Sequence, residues 1–570
     1  MAPPNIAYPL RSWTLGGFRA ILTETKFELG GLNLLVGANS AGKSSVLYSL
    51  LLTAQTLGTP TADRPLVLNG PQVRLGWAED CVHEEANREM TIGFGLDPTQ
   101  IPFGRSRPAM EELDELRVNS IFTVPKEDIA NFHLVRTDMT ALLADEGGKA
   151  HVCLKPRRKD EAIEEMVAAG LPLEAAEDHL NSAGYGVTGD IPRRTAGAYM
   201  RQFIPYTLAV VVNAYERELG ELVRLWLPRA QSPMPRGLQR RLASISPPVA
   251  RIIRTYVEHV AQPGFDLPDG DVLTPEVLGN LPTYILEAIS ELHRTSWLAE
   301  HAEDLEFKGE IQEQMMPGIL DAGVDCAQWW FSQRVRHLGP LRAAPQPFYG
   351  LPEAASVASV GKNGEYTAAV LTTFGKQLGA YPLPSGQIEN VRLGQAVDLW
   401  MKELALLASV HPREQGKYGY ELNVSMDGVS RELDLTTVGV GVSQALPIIV
   451  LGLISEPGSL LLFEQPELHL HPDVQAGLGD FFLALARTGR QLIIETHSEY
   501  LINRLRRRQI TDENPDASEL TRLFFFAREG SAASIQQARI GRDGSMPDWP
   551  KGFLDTASRE IQHMVTHRRT

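Results

Sequence analysis

The stretch "LNLLVGANSAGKSSVLYSLLL", Leu32 to Leu52, decides how the rest of this 570-residue chain is read. It opens as a short apolar run ending at Gly37, passes through a glycine-containing turn, and from Lys43 carries Val46, Leu47, Leu50 and Leu51 at helical spacing. Gly37, Gly42, Lys43 and Ser44 complete the pattern GxxxxGKS. The glycines let successive backbone N–H groups curl around a phosphate, and the helix N-terminus adds a positive dipole. Lys43 reaches the outer phosphates, and the Ser44 hydroxyl offers a ligand to magnesium. The expected nucleotide-binding set is therefore Gly37, Ala38, Asn39, Ser40, Ala41, Gly42, Lys43, Ser44 and Ser45, with ATP and Mg2+ as cofactors.

Two buried strands are expected toward the C-terminus. "SLLLFEQPELHLHP" follows the turn "SEPG", so Leu460 to Phe463 read as a strand that delivers Glu464 to its C-terminal edge, where open α/β sheets place their ligands. "RQLIIETHSEYLI" reads as a second strand ending at Thr496-His497-Ser498 and running into a helix. Upstream, Gly439, Gly441, Ser443 and Gln444 open an apolar helix, another arrangement suited to an anion at a helix N-terminus. Each piece alone is weak. Their order is specific: phosphate loop, long interval, glycine-serine turn, acidic strand end, histidine strand end.

That order resembles the ABC-type ATPase head of transporter subunits, the SMC group, RecF and the OLD-like ATPases of bacterial defence systems. The resemblance implies a RecA-like core with an antiparallel β lobe, in which two heads sandwich ATP. By resemblance, Gly439 to Gln444 stand for the signature, with Ser443 the first choice for the γ-phosphate of a facing site. Glu464 stands for the Walker B acid, serving the metal shell with Ser44, "HLHP" for the D-loop, and His497 for the switch histidine. The stretches "LVLNGPQVRLG", "HLGPLRAAP", "EQPELHLHP", "ETHSEYLINRL" and "DWPKGFLD" are similar to those of AAA15/AAA21-type, OLD-related ATPases with a short C-terminal domain of unknown function. The divisions expected are an N-terminal ATPase lobe over residues 1–100, a helical insertion over 101–331, and a C-terminal lobe with a short tail domain over 332–570.

One departure bears on mechanism. The position after Glu464, which carries the water-activating carboxylate in a standard ABC head, is Gln465, an amide that orients water but takes no proton. Two readings follow. In the first, Gln465 makes hydrolysis slow and the ATP-bound dimer long-lived; in the second, Glu467 or a partner residue acts as base. The first is favoured. The candidate catalytic residues are thus Glu464, Gln465, Glu467 and His497.

The middle of the chain reads as helical, for example "AYMRQFIPYTLAVVVNAYERELGELVRLWL" and "PTYILEAISELHRTSWLAEHAEDLEF". Its recurrent prolines exclude long uninterrupted coiled-coil arms. Partner binding, ligand sensing or extension of a dimer are its expected uses. "PDGDV" at 268–272 has the DxD spacing of Toprim nucleases but no apolar strand before it, and reads as a surface turn.

Composition sets the remaining bounds. An apolar fraction of 43% and a charged fraction of 22% are those of a globular protein. A net charge of −16 opposes a globally basic nucleic-acid surface and leaves only local patches such as "KPRRK" and "RLRRR" for phosphates. Cys81, Cys153 and Cys326 form no CxxC pair and read as core thiols. No apolar run is long enough to span a membrane and no secretory signal is evident, so a cytoplasmic location is expected. The functional expectation is a regulatory ATPase of antiphage defence, a homodimer or higher even-numbered homo-oligomer that controls a separate nuclease or toxin. The alternative is a DNA-repair or DNA-end-sensing ATPase, and DNA is left open as a partner.

Overall fold

The computed structural model describes residues 7–59, 64–101, 113–143, 148–168, 170–179, 185–191, 195–215, 217–218, 246–260, 284–285, 309–350, 359–513, 515–550, 563–564 and 566. It divides into two units. The first takes Met1–Cys153, Arg201–Ile204 and Pro317–Thr570, and the second Leu154–Met200 and Pro205–Met316.

The centre of the first unit is a six-stranded sheet in the order Val335–Leu338, Leu460–Glu464, Gln491–Thr496, Leu32–Gly37, Thr521–Glu529, Ala532–Ala538. The first five strands run parallel and the last pairs antiparallel. Every residue of Leu32–Gly37, Leu460–Glu464 and Gln491–Thr496 is buried, which is why these strands read as unbroken apolar runs. Alternate residues Leu32, Leu34, Val36, Leu461, Phe463, Leu492 and Ile494 join one core with helices Val440–Ile454, Pro472–Ala486 and Glu499–Thr511.

An antiparallel sheet forms the second layer of this unit, its strand order beginning Thr25–Glu28, Leu10–Gly16, Glu89–Leu96, Leu113–Thr123, His133–Leu143. Trp13 ties it to the phosphate-loop helix Lys43–Gly58: its indole Nε1 donates to Ser49 Oγ at 3.0 Å in a fully buried contact. Phe331, from helix Gly318–Arg334, packs its ring against both Trp13 and Phe94. The chain beyond the middle interval thus returns to complete the layer begun at its N-terminus.

The second unit is mixed. Strands Ile204–Asn213 and Gly309–Met315 pair antiparallel, with Val210 opposite Gln312, and helices Lys159–Ala168, Leu173–His179 and Pro247–Val260 accompany them. A small core of Ala162, Met166, Leu171, Ala176, Ala196 and Val211 holds it. This corrects the helical reading of "AYMRQFIPYTLAVVV": residues 195–201 and 204–213 are strands. The β-branched run Val210-Val211-Val212 packs better on a pleat than in a helix, and its apolar spacing fits either period. The expected boundaries at 100 and 331 also shift, because 113–143 and 318–334 belong to the first unit. "PDGDV", nearly all of "PTYILEAISELHRTSWLAEHAEDLEF" and the end of "DWPKGFLD" lie outside the described residues. The three cysteines form no disulfide and are buried, as expected of core thiols. Among the described residues no helix is long and apolar enough to cross a membrane.

Candidate active site at the carboxyl ends of the core strands

The parallel strands bring three motifs to one edge. Thr496 pairs in register with Val36, and Glu464 with Glu495, so phosphate loop, acidic end and histidine end lie side by side. The loop is shaped by backbone conformations that glycine favours. Gly42 sits at φ 100°, and a Cβ on Gly37 would lie 2.2 Å from the carbonyl oxygen of Phe526. Helix Lys43–Gly58 starts at Gly42 with no side-chain cap, which leaves its first N–H groups for a ligand. A cavity of about 200 Å³ opens there, lined by Arg19, Ala20, Ser40 to Ser45 and Glu495.

Lys43 is buried and donates from Nζ to the carbonyls of Gly37 at 3.0 Å and Ala38 at 2.7 Å. Burial lowers its pKa, and the carboxylates of Glu495 and Glu467 oppose that fall. Ser44 Oγ donates to Glu495 Oε2 at 2.8 Å, and Glu495 Oε1 lies 4.0 Å from Lys43 Nζ. Burial raises the Glu495 pKa against the pull of Ser44 and Lys43, and Glu464 and Glu467 raise it further.

Glu464 has a different partner. Its Oε1 lies 2.7 Å from His337 Nε2, and Arg342 donates to the backbone carbonyls of Glu464 at 3.1 Å and Gln465 at 2.9 Å. Burial lowers the Arg342 pKa to about 10, with the charges of Glu467 and Glu464 acting in the opposite sense. Gln465 stands at φ 43°, and its N–H donates to the carbonyl of Glu495 at 2.8 Å. Two residues on, Glu467 Oε2 accepts from Thr496 Oγ1 at 2.9 Å and Oε1 from the His497 N–H at 2.6 Å. Both oxygens thus tie the acidic turn to the histidine turn. Burial nonetheless raises the Glu467 pKa.

His497 Nε2 is buried and has no hydrogen-bond partner among the described residues. Burial and the nearby Lys43 both depress its pKa. An orphaned ring nitrogen beside a lysine suits a phosphate oxygen. The oxygen donors of Ser44, Glu495 and Glu464 suit magnesium, a hard cation, and their crowded buried charges favour one.

The glycine-serine turn is not part of this cavity. Gly439 and Val440 are exposed at the start of helix Val440–Ile454, whereas Ser443 and Gln444 are buried and Ser443 Oγ donates to the Val440 carbonyl at 2.8 Å. The hydroxyl expected to meet a facing phosphate is spent on its own helix, so the accessible part of the turn is Gly439 to Gly441. His469 is exposed at φ 61°, and His471 caps helix Pro472–Ala486 by accepting from the Asp473 N–H at 3.3 Å. Among the described residues no cluster of three or more His, Cys, Asp or Glu is arranged to hold a metal by itself.

Sequence reasoning missed His337, Arg342, Glu495 and Arg19. The first three lie in the stretches "HLGPLRAAP" and "ETHSEYLINRL" that carried the resemblance, yet a role could be given to them only once the strands were adjacent.

Residues 390–502 match the family model of the AAA ATPase domain. That segment supplies the acidic and histidine strands, and the phosphate loop lies in the same unit outside the match. The phosphate-loop strand and the acidic and histidine strands of the matched segment lie in one α/β sheet, accompanied by an antiparallel layer in the same unit. No curated protein matches the chain. Among solved structures it is similar to the Smc head domain of Pyrococcus furiosus with an extended coiled coil, bound to the C-terminal domain of ScpA. That likeness has 10% identity, covers 98% of this chain and 100% of that one, and has a TM-score of 0.35. It is also similar to the SMC head domain from Thermotoga maritima, at 8% identity, 93% and 98% coverage and a TM-score of 0.33.

Proposed function

We propose that this chain is a slow ATP-hydrolysing switch that dimerises around MgATP and controls a separate effector such as a nuclease or toxin. Lys43, the Gly37 to Gly42 backbone and Arg19 hold the phosphates, Ser44 and the acidic strand ends serve the metal, and His497 meets the γ-phosphate. Magnesium bound there neutralises charge on the outer phosphate oxygens.

The observation that carries the slow turnover is the engagement of Glu467. With Gln465 neutral, Glu467 is the next carboxylate along the turn, and both its oxygens accept hydrogen bonds that join two loops. A general base must reach the water with an unoccupied lone pair, and each Glu467 oxygen already has one of its two lone pairs engaged and its orientation fixed by the turns. This favours Gln465 as a water-orienting amide and ATP as a timing ligand over Glu467 as a substitute base. Single-turnover hydrolysis tests it: Gln465→Glu speeds the step, and Glu467→Gln slows it only modestly. No gain from the first and a collapse with the second would sink the slow-clock reading.

The placement in antiphage defence rests on the sequence resemblance. Its test is a phage challenge of cells carrying this gene with its neighbouring reading frame, with Lys43→Ala as control. Protection that needs both frames and Lys43 supports it. DNA-stimulated hydrolysis without protection points to the DNA-repair alternative.

A further inference from the structure

The two acidic strand ends have different neighbours. Glu464, the acid expected to meet the metal, is hydrogen-bonded to His337, and its backbone carbonyl is held by Arg342. Glu495, on the next strand, bonds the Ser44 hydroxyl, lies 4.0 Å from Lys43 and lines the phosphate cavity, which Glu464 does not. Ser44 is the side chain of the phosphate loop whose chemistry is metal ligation. A carboxylate at hydrogen-bond distance from that hydroxyl is within reach of a cation the hydroxyl binds.

We propose that Glu495 is the protein's principal magnesium-shell carboxylate, acting with Ser44, and that Glu464 is a positioning residue held by His337 beside it. The inference rests on the ATP-site reading above and assigns the acid within it. Three local facts support the division. Glu495 is the carboxylate of the cavity lining, so a cation entering with ATP meets it directly. Its strand is the central one, flanked by the acidic strand and by the phosphate-loop strand, which fixes its backbone on both sides. Its carbonyl also accepts from the Gln465 N–H, so a shift of Glu495 on metal binding or loss would be transmitted to the residue expected to orient water. Metal occupancy and the water-orienting turn are thereby mechanically joined.

The experiment measures ATP affinity by calorimetry with and without Mg2+, and Mn2+ binding in the presence of ATP by electron paramagnetic resonance. Wild type, Glu495→Gln, Glu464→Gln and Ser44→Ala are compared. In the wild type, metal tightens ATP binding. Glu495→Gln removes most of that tightening, by about 10-fold or more, with metal-free ATP binding unchanged, and Ser44→Ala does the same. Glu464→Gln retains the larger part. Full tightening in Glu495→Gln, with loss in Glu464→Gln, overturns the assignment and leaves the ATP-site reading intact. Absence of ATP binding by the wild type under either condition overturns both. Glu495→Gln removes a buried charge and is expected to fold. If its melting curve shows otherwise, Glu495→Asp decides: reduced tightening supports the proposal and unchanged tightening overturns it.

Discussion

His337 Nε2 lies 2.7 Å from Glu464 Oε1, and the two side chains expose only 7% and 6% of their area. His337 stands on the edge strand Val335–Leu338, opposite Leu462 of the acidic strand, so the contact is fixed by sheet register rather than by a flexible loop. A carboxylate this deeply buried needs a donor in place of the water it has lost. His337→Ala removes the side-chain partner of Glu464 at the end of the acidic strand. ATP turnover is expected to fall about 10-fold, with metal-free ATP affinity changing far less. Steady-state kinetics beside calorimetry separate the two, and an equal loss in both would mean that His337 only supports the fold.

The bond from Thr496 to Glu467 makes a second expectation. Thr496 Oγ1 donates to Glu467 and accepts from the Ser498 N–H. Thr496→Val keeps the shape and strands both groups, at a cost of about 1–3 kcal/mol. Chemical denaturation should show a lower midpoint at unchanged slope.

Asp398 gives a pH-dependent expectation away from the site. Burial pushes its carboxyl up to about 6, although Val410 N–H donates to it at 2.8 Å. A folded-state value above the unfolded one means that the native state binds the extra proton, so this contribution to stability is present below about pH 4 and lost as pH rises through about 6. Asp398→Asn keeps an acceptor for Val410 and removes the charge. The variant should melt higher than wild type at pH 7.5, and the difference should vanish at pH 4; a constant difference would sink the account.

Trp330 is fully buried and donates from Nε1 to the Gly458 carbonyl at 2.8 Å, joining helix Gly318–Arg334 to the turn before the acidic strand. Trp330→Phe should cost about 1–2 kcal/mol through the unpaired carbonyl. Trp330→Ala should cost about 3–5 kcal/mol by also opening a cavity. Guanidinium titrations of both would rank them.

The parallel core was legible because its strands are apolar on both faces and its loop needs glycine where backbone meets backbone, as Gly37 does against Phe526. The antiparallel layer was expected only through the resemblance, since Trp13, Phe27 and Phe94 come together through register that no local spacing announces. The middle interval misled for a related reason: Val210 to Val212 satisfy either period, and pairing with Gly309–Met315 across a long gap decides for the strand. In the site, residues named by motif were found where their strands end. Those acting through a neighbouring strand, His337 and Glu495, carried no signal until the neighbour was known. Ser443 illustrates the reverse, a motif residue whose hydroxyl is consumed locally.

Arg342 spends its guanidinium on main-chain carbonyls at Glu464 and Gln465 and on no side chain there. Arg342's hold on the acidic turn therefore does not use the side chain at position 465. On the proposed slow-switch reading, a single codon change at that position would reset the interval between loading and release while those backbone contacts stay as they are. In a lineage under shifting pressure, tempo becomes a trait adjustable without rebuilding the machine.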